Sequence, residues 1–267
     1  MSKYKAFLRI VAMLLLGGAA MLALGFVARG GDRTPVRDIA VELDATAGVH
    51  FLDKDQLLTQ VTTAAGPVIG TPVYRLDEAA MERSLRAIPG IARAEVYHDL
   101  DGVLHVKAEQ RVPLLRVINA DGSGFYIDRN GHTMPLSDVF TARVPVFTGQ
   151  INEPFARCAP VDLLHLPDSL ALSSRSPAMY RLALILHADP LWQALFQQVV
   201  TDADGGFELV PSIGLARVRI GNGEQAEQRL RKLRAFYAQG IPQTDWRRYS
   251  AIDLRFNDQV VCTKRTF

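Results

Sequence analysis

Residues Ile10 to Ala28 read IVAMLLLGGAAMLALGFVA, nineteen residues without a charge. A helix needs about 20 apolar residues to cross the hydrocarbon core of a bilayer. Helix is the form expected there, because lipid offers no partners for open backbone amides. Lys3, Lys5 and Arg9 precede the stretch; Arg29, Arg33 and Arg37 follow it, diluted by Asp32 and Asp38. The basic flanks tie, so charge asymmetry does not orient the helix. The unequal lengths do: a short N-terminal stub stays inside and the bulk of the chain is exported. The run exceeds the usual 7–15-residue core of a signal peptide and lacks a small-x-small cleavage site, which favours an uncleaved anchor. The small residues Gly17, Gly18, Ala19, Ala20 and Ala23 suit close approach by a second helix.

The segment beyond the anchor, 29–267, has room for one large or two small domains. A formal net charge of +2 gives no electrostatic case for nucleic acid. Cys158 and Cys262 lie far apart, and their spacing settles neither pairing nor metal binding. No metal-ligand spacing of Cys or His occurs.

Residues 30–35 form a polar linker. Val36 to Leu43 alternates and predicts a strand with one buried face. Asp53, with Gln56 three residues on, predicts a capped helix whose face is Leu57, Leu58 and Val61. The stretch 66–72, with its glycines and prolines, must break it. A second helix starts at Asp77, with Met81, Leu85 and Ile88 at helical spacing, and Pro89-Gly90 stops it. Ala92, Ala94 and Val96 alternate into a strand, Asp101-Gly102 is a hairpin turn, and Leu104, Val106 and Ala108 alternate out. This strand–helix–helix–strand–strand order over 36–111, with its "PGIARAEV" block, resembles the POTRA module. POTRA modules act on other polypeptides, usually through a strand added along a sheet edge.

From Leu114 the texture changes to short strands with tight turns. Strands are predicted at Leu115–Ile118, Phe125–Ile127, Val144–Phe147, Phe207–Val210 and Arg217–Ile220, with turns at Asp121-Gly122, Asn130-Gly131 and Asp204-Gly205. The stretch 150–176 carries Pro154, Pro160 and Pro167 and reads as an irregular excursion; loops this long often contact something. Helices are predicted over Met179–Leu186, Leu191–Val199 and Glu224–Ala238. In the last, Ala226, Leu230, Leu233 and Phe236/Tyr237 share a face, and the basic Arg231, Lys232 and Arg234 read as a solvated outer face that suits the helix dipole. Residues 251–263 form two alternating runs around Asn257-Asp258, a hairpin or one bulged strand. Terminal strands are often sheet edges, with one row of backbone groups open.

Several blocks in succession carry a resemblance: "FYIDRNGHTMPLS" at 125–137, "TARVPV" at 141–146, "FELVPSIG" at 207–214 with "RIG" at 219–221, "KLRAFY" at 232–237, and "IDLRFNDQVVCTKR" at 252–265. The chain resembles the FtsQ/DivIB family of cell-division proteins, in the form found in the Bacteroidota. The resemblance implies an α+β protein. A single transmembrane helix (10–28) follows a cytoplasmic stub (1–9); after a linker (29–35) come a POTRA-like βααββ domain (36–111) and a C-terminal domain (112–267) of antiparallel strands with flanking helices. It implies an inner-membrane, single-pass protein in contact with the lipid bilayer, N-terminus cytoplasmic and bulk periplasmic. It implies no chemistry and no cofactor. Its partners would be FtsB-like and FtsL-like coiled-coil proteins and the FtsW/FtsI-like proteins of septal peptidoglycan synthesis. The protein-binding residues it points to are Leu254, Arg255, Phe256, Gln259, Val260 and Val261. Arg255 would meet an acidic group on the partner; Phe256 stands where relatives usually carry Tyr, so it keeps a packing face but lacks the hydroxyl.

Other readings of the same residues are weaker. His50, His98, His105, His132, His165 and His187 are scattered, with no HExxH pattern. His98 and His105 flank the 101–102 turn and could face each other as a surface pair. Asp202-Ala203-Asp204-Gly205 lacks the later ligands of a calcium loop, and no GxSxG elbow is present. A POTRA-containing factor for polypeptide transport or outer-membrane assembly would carry tandem modules or a barrel, which the sequence lacks. An anchored envelope hydrolase would need a nucleophile–base or metal constellation.

Overall fold

The computed structural model describes residues 13–19, 21, 34–44, 48–158, 160–214, 216–239, 248–257 and 259–265. Their architecture is α+β with two mixed sheets. The chain divides into two units, Met1–Ala45 with Leu52–Gln110, and Thr46–Phe51 with Arg111–Phe267.

The apolar stretch at the N-terminus does not meet the expectation of a membrane anchor. Among the described residues no helix is long and apolar enough to cross a membrane. Helix is described there only over 13–19 and at Met21. The rest of Ile10–Ala28, the stub 1–9 and residues 29–33 lie outside the described residues. The single transmembrane helix, and the single-pass inner-membrane placement built on it, are therefore not supported.

The first unit holds β1 (Asp38–Asp44), α1 (Lys54–Ala65), α2 (Glu78–Arg86), β2 (Ile91–His98) and β3 (Val103–Gln110). The sheet order is β1-β3-β2, with β1 parallel and β2 antiparallel to β3. Asp53 starts α1: its carboxylate accepts from the Gln56 amide at 2.8 Å while the Gln56 side chain accepts from the Asp53 amide at 3.2 Å, a reciprocal cap. Asp77 caps α2 through the Ala80 amide at 2.8 Å. Leu57, Val61, Met81 and Leu85 then share a core with Ile91, Val96, Leu104 and Val106 of the sheet. Gly102 turns the hairpin at φ +83°; a Cβ there would lie 2.7 Å from the Pro35 carbonyl oxygen, so the turn demands glycine.

His98 and His105 do not face each other. The register sets Tyr97 opposite His105 and His98 opposite Leu104. His105 stacks on Tyr97 with centroids 5.0 Å apart and reaches Asp99 at 3.1 Å, while His98 reaches Glu78 at 2.6 Å. The outer edge of β2 is occupied by α2. Glu82 accepts from the Val96 amide at 3.1 Å, Arg86 donates to the Ala94 carbonyl at 3.0 Å, and the two side chains pair at 2.7 Å. Charged side chains on an edge in this way block a further strand.

The second unit holds β4 (Pro113–Ile118), β5 (Gly124–Asp128), β6 (Thr133–Pro135), β7 (Val146–Gly149), α3 (Asp168–Ser173), α4 (Ser176–His187), α5 (Pro190–Leu195), β8 (Phe196–Thr201), β9 (Phe207–Pro211), β10 (Arg217–Gly221), α6 (Ala226–Gln239), β11 (Tyr249–Asp253) and β12 (Val261–Lys264). One nine-stranded sheet runs β12-β11-β10-β9-β8-β7-β4-β5-β6. Registers place Val117, Phe147, Val199, Leu209, Val218 and Ile252 in one row across six strands. All six are buried, in one cluster with Met179, Leu182 and Leu186 of α4 and Leu230 and Leu233 of α6. The next row, Thr148, Val200, Glu208, Arg219 and Asp253, faces the other way, as the period of two requires. Arg217 and Arg219 both bond Glu208 there, at 2.9 and 3.2 Å.

The helix expected over Leu191–Val199 stops at Leu195 and the chain enters β8. Val199 and Val200 are β-branched and suit a strand, and ladders to β7 and β9 fix the outcome. The excursion 150–176 is built from 3-10 turns at Pro154–Arg157 and Leu163–His165 and the short α3. It is tied down by buried polar groups. The Glu153 carboxylate accepts from the Ser174 hydroxyl and the Arg175 amide, both at 2.6 Å. Asn119 exchanges two bonds with the Glu153 backbone, both 2.9 Å. The excursion also covers the outer edge of β6. Thr133 donates its amide to the Val161 carbonyl, and its hydroxyl accepts from the Val161 amide, each at 2.9 Å. Pro135 has no amide to offer.

Candidate functional site

The large sheet ends at β6, which the excursion covers, and at β12; in the small sheet the outer side of β1 has no described strand partner. β12 is the last strand of the large sheet, and no described strand pairs with its outer side. It is held by β11 alone, in an antiparallel ladder with Ala251 opposite Thr263, Ile252 opposite Cys262 and Asp253 opposite Val261. Val261, Thr263 and Lys264 are exposed; Cys262 and Val260 pack part-buried against the core. Burial raises the Cys262 thiol above its ordinary pKa, and both Cys262 and Cys158 are free thiols.

The six residues singled out from sequence separate into two groups. Leu254 continues β11: its amide donates to the Arg219 carbonyl at 3.0 Å and its side chain is fully buried. It is a core plug and offers no surface. Arg255, Phe256 and Gln259 are exposed on the connection between β11 and β12, and Val260 and Val261 lead into the edge strand. β11 itself is paired on both sides, with β10 in parallel and β12 antiparallel. Of these two strands, β12 is the one whose outer side no described strand pairs with.

Arg255 has an acidic partner within its own chain. Its Nε lies 3.0 and 3.1 Å from the two Asp253 carboxylate oxygens, its Nη2 2.7 Å from Oδ2, and its amide also donates to Asp253 at 3.0 Å. Burial pushes the Asp253 pKa up, but the bonds and charge of Arg255 outweigh it and hold the carboxyl below its ordinary value. The folded value is therefore the lower one. Its stabilisation is fully present above the unfolded value, about pH 4, and is lost as pH falls through the folded value. Protection of the 253–264 hairpin against amide exchange, taken relative to the intrinsic rate at each pH, is expected to fall on acidification below about pH 4, before that of β8 and β9.

The basic face of α6 is only in part solvated. Arg231 makes an exposed pair with Glu227 at 3.7 Å. Arg234 pairs with Asp189 and lies over the Trp192 ring at 5.4 Å. Lys232 is half-buried, and its ammonium donates to main-chain carbonyls of the β11–β12 connection: Leu254 at 3.0 Å, Gln259 at 3.2 Å, Asn257 at 3.4 Å, and Phe256. Sequence reading missed this role. The available signal was position: Lys232 borders the buried Leu233 stripe, where a long stem can pack while its head reaches backbone.

Among the described residues no group of three or more His, Cys, Asp or Glu is placed to hold a metal ion. A cleft of about 320 Å³ in the second unit is lined by Arg129, Phe140, Arg143, His187 and Gln193 among others.

Residues 112–263, which include the open-edged hairpin down to Thr263, match the family described as FtsQ/DivIB, C-terminal related. A cell division protein FtsQ from Rhodothermus marinus is 28% identical over 196 residues, covering 72% of this chain and 67% of that protein. A cell division protein FtsQ from Salinibacter ruber is 27% identical over 256 residues, covering 94% and 93%.

Proposed function

This chain belongs to the FtsQ/DivIB family, and on that premise we propose that it is a non-catalytic scaffold of the bacterial division machinery that recruits partners through its sheet edge. The first unit, with its βααββ order, serves as a POTRA-like module, and the second carries the main docking strand. The partners proposed are FtsB-like and FtsL-like coiled-coil proteins and, through them or beside them, FtsW/FtsI-like proteins of septal synthesis.

One observation carries the docking mode: among the described residues no strand pairs with the outer side of β12, while the far edge of the same sheet, β6, is covered. An added strand gains main-chain hydrogen bonds from such an edge, and the alternating side chains supply selectivity. Its inward side chain would extend the buried row that ends at Ile252 and Cys262. The Arg255–Asp253 pair lies on the connection at the head of the edge, so an acidic partner group would compete with Asp253 for the guanidinium.

The test is a substitution that blocks the edge and spares the fold. The Arg265 amide donates inward, to the Arg248 carbonyl at 2.8 Å. Counting back along an antiparallel strand, the Cys262 amide points away from β11. Proline is tolerated at such an outward-facing edge position. Cys262→Pro is expected to leave thermal unfolding nearly unchanged and to weaken capture of the FtsB-like protein from the same genome at least about tenfold, or ~1.4 kcal/mol. Undiminished capture by a folded variant would defeat the edge-docking mechanism.

A further inference from the structure

The carbonyls of Leu254, Phe256, Asn257 and Gln259 converge on one point, the Lys232 ammonium. Converging carbonyl dipoles repel one another unless a cation sits among them, so this loop shape depends on the lysine. An ammonium has three protons in rotatable positions and no planar constraint, which suits a ring of acceptors from different directions. Three residues earlier on α6, Arg229 donates to the Ile220 carbonyl at the end of β10 and to the Gln225 side chain. Positions three apart lie on one helix side. One side of α6 thus grips both the end of β10 and the β11–β12 connection.

Among the described residues, β12 is held by its ladder to β11 and by the part-buried Cys262. The strand is four residues long, it has one neighbour, and three of its side chains are exposed. A short ladder of that kind is marginal by itself. We infer that Lys232 is a positioning residue for the docking edge: its ammonium latches the β11–β12 connection to α6 and holds β12 ready for a partner strand. A partner then meets a preformed edge and bears less of the cost of ordering it. The inference rests on the edge-docking reading above.

The experiment compares intact chains carrying Lys232→Met, Lys232→Arg or Cys262→Pro with the wild type, by hydrogen exchange and by capture of the FtsB-like protein. Methionine keeps the stem and removes the charge; arginine keeps the charge in a planar fork that cannot point into the ring. For Lys232→Met, exchange over 259–264 is expected to quicken at least about tenfold and capture to fall at least about fivefold, with α6, β8 and β9 still protected. Lys232→Arg is expected to fall between. Unchanged exchange over 259–264 in Lys232→Met overturns the latch and leaves the docking edge standing. Capture lost in Cys262→Pro but retained in Lys232→Met overturns the latch alone. Capture retained in both overturns the docking edge and, with it, the latch's part in docking.

Discussion

Replacing Asp128 with alanine is expected to cost the second unit about 3–5 kcal/mol of stability, the range for breaking a buried ion pair from one side. The Asp128 side chain is 1% exposed and that of Arg111, 2.7 Å away, is 10% exposed. The other carboxylate oxygen accepts from the amides of Asn130 and His132, at 2.9 and 2.8 Å. One side chain thus neutralises a buried guanidinium and shapes the turn at Asn130-Gly131. Alanine leaves the charge of Arg111 stranded and the turn amides without an acceptor. Asp128→Asn keeps an acceptor for the turn and should lose less. Pairing Asp128→Ala with Arg111→Met removes the stranded charge, and stability should return most of the way. Urea denaturation reads this directly, as a fall in midpoint with the slope unchanged. A loss under 1 kcal/mol for Asp128→Ala would show that the pair is solvated in solution.

Glu153→Ala is expected to cost about 1–3 kcal/mol, since it leaves two part-buried donors, the Ser174 hydroxyl and the Arg175 amide, without their acceptor. Glu153 is 6% exposed. Arg175, at the start of α4, makes no side-chain cap of its own; its amide bonds the distant Glu153 carboxylate instead, and a negative charge suits a helix N-terminus. The same residue pins the excursion that covers β6. A second effect should follow: with the excursion loosened, the edge of β6 becomes available and the variant should aggregate on standing. Glu153→Gln keeps one acceptor and should show a smaller change in both. Light scattering over hours at a temperature where the wild type is folded separates the aggregation from the loss of stability.

The sequence carried the first unit's elements clearly, because each signal is local. Asp53 and Asp77 cap, Leu57/Val61 and Met81/Leu85 stripe, and Asp101-Gly102 turns. The second unit was harder to read for a stated reason. Three of its strand pairings, β4 with β7, β7 with β8 and β10 with β11, are parallel. Parallel neighbours are joined by long crossovers, so no turn motif betrays them. β8 was mistaken for helix because Phe196, Val199 and Val200 fit a spacing of three and four as well as a strand. β6, at three residues, is too short to show a period. At the N-terminus, hydropathy alone suggested a spanning helix, and among the described residues no helix is long and apolar enough to cross a membrane. At the candidate site, alternation marked the edge strand. It marked neither Leu254 as a plug nor Arg255 as already paired, because both depend on what folds beside them. Lys232 was illegible for the same reason: its acceptors are backbone groups more than twenty positions away.

The covered rim of β6 sets a limit on how many molecules this sheet can join. A sheet with two free rims can add strand after strand and grow into a fibre. Here the described residues cover β6, so strand addition to this sheet would proceed from the β12 side. Two copies meeting through β12 would close into a pair with nothing left over at either end. Under the docking proposed for β12, this sheet would take on strands at one end alone.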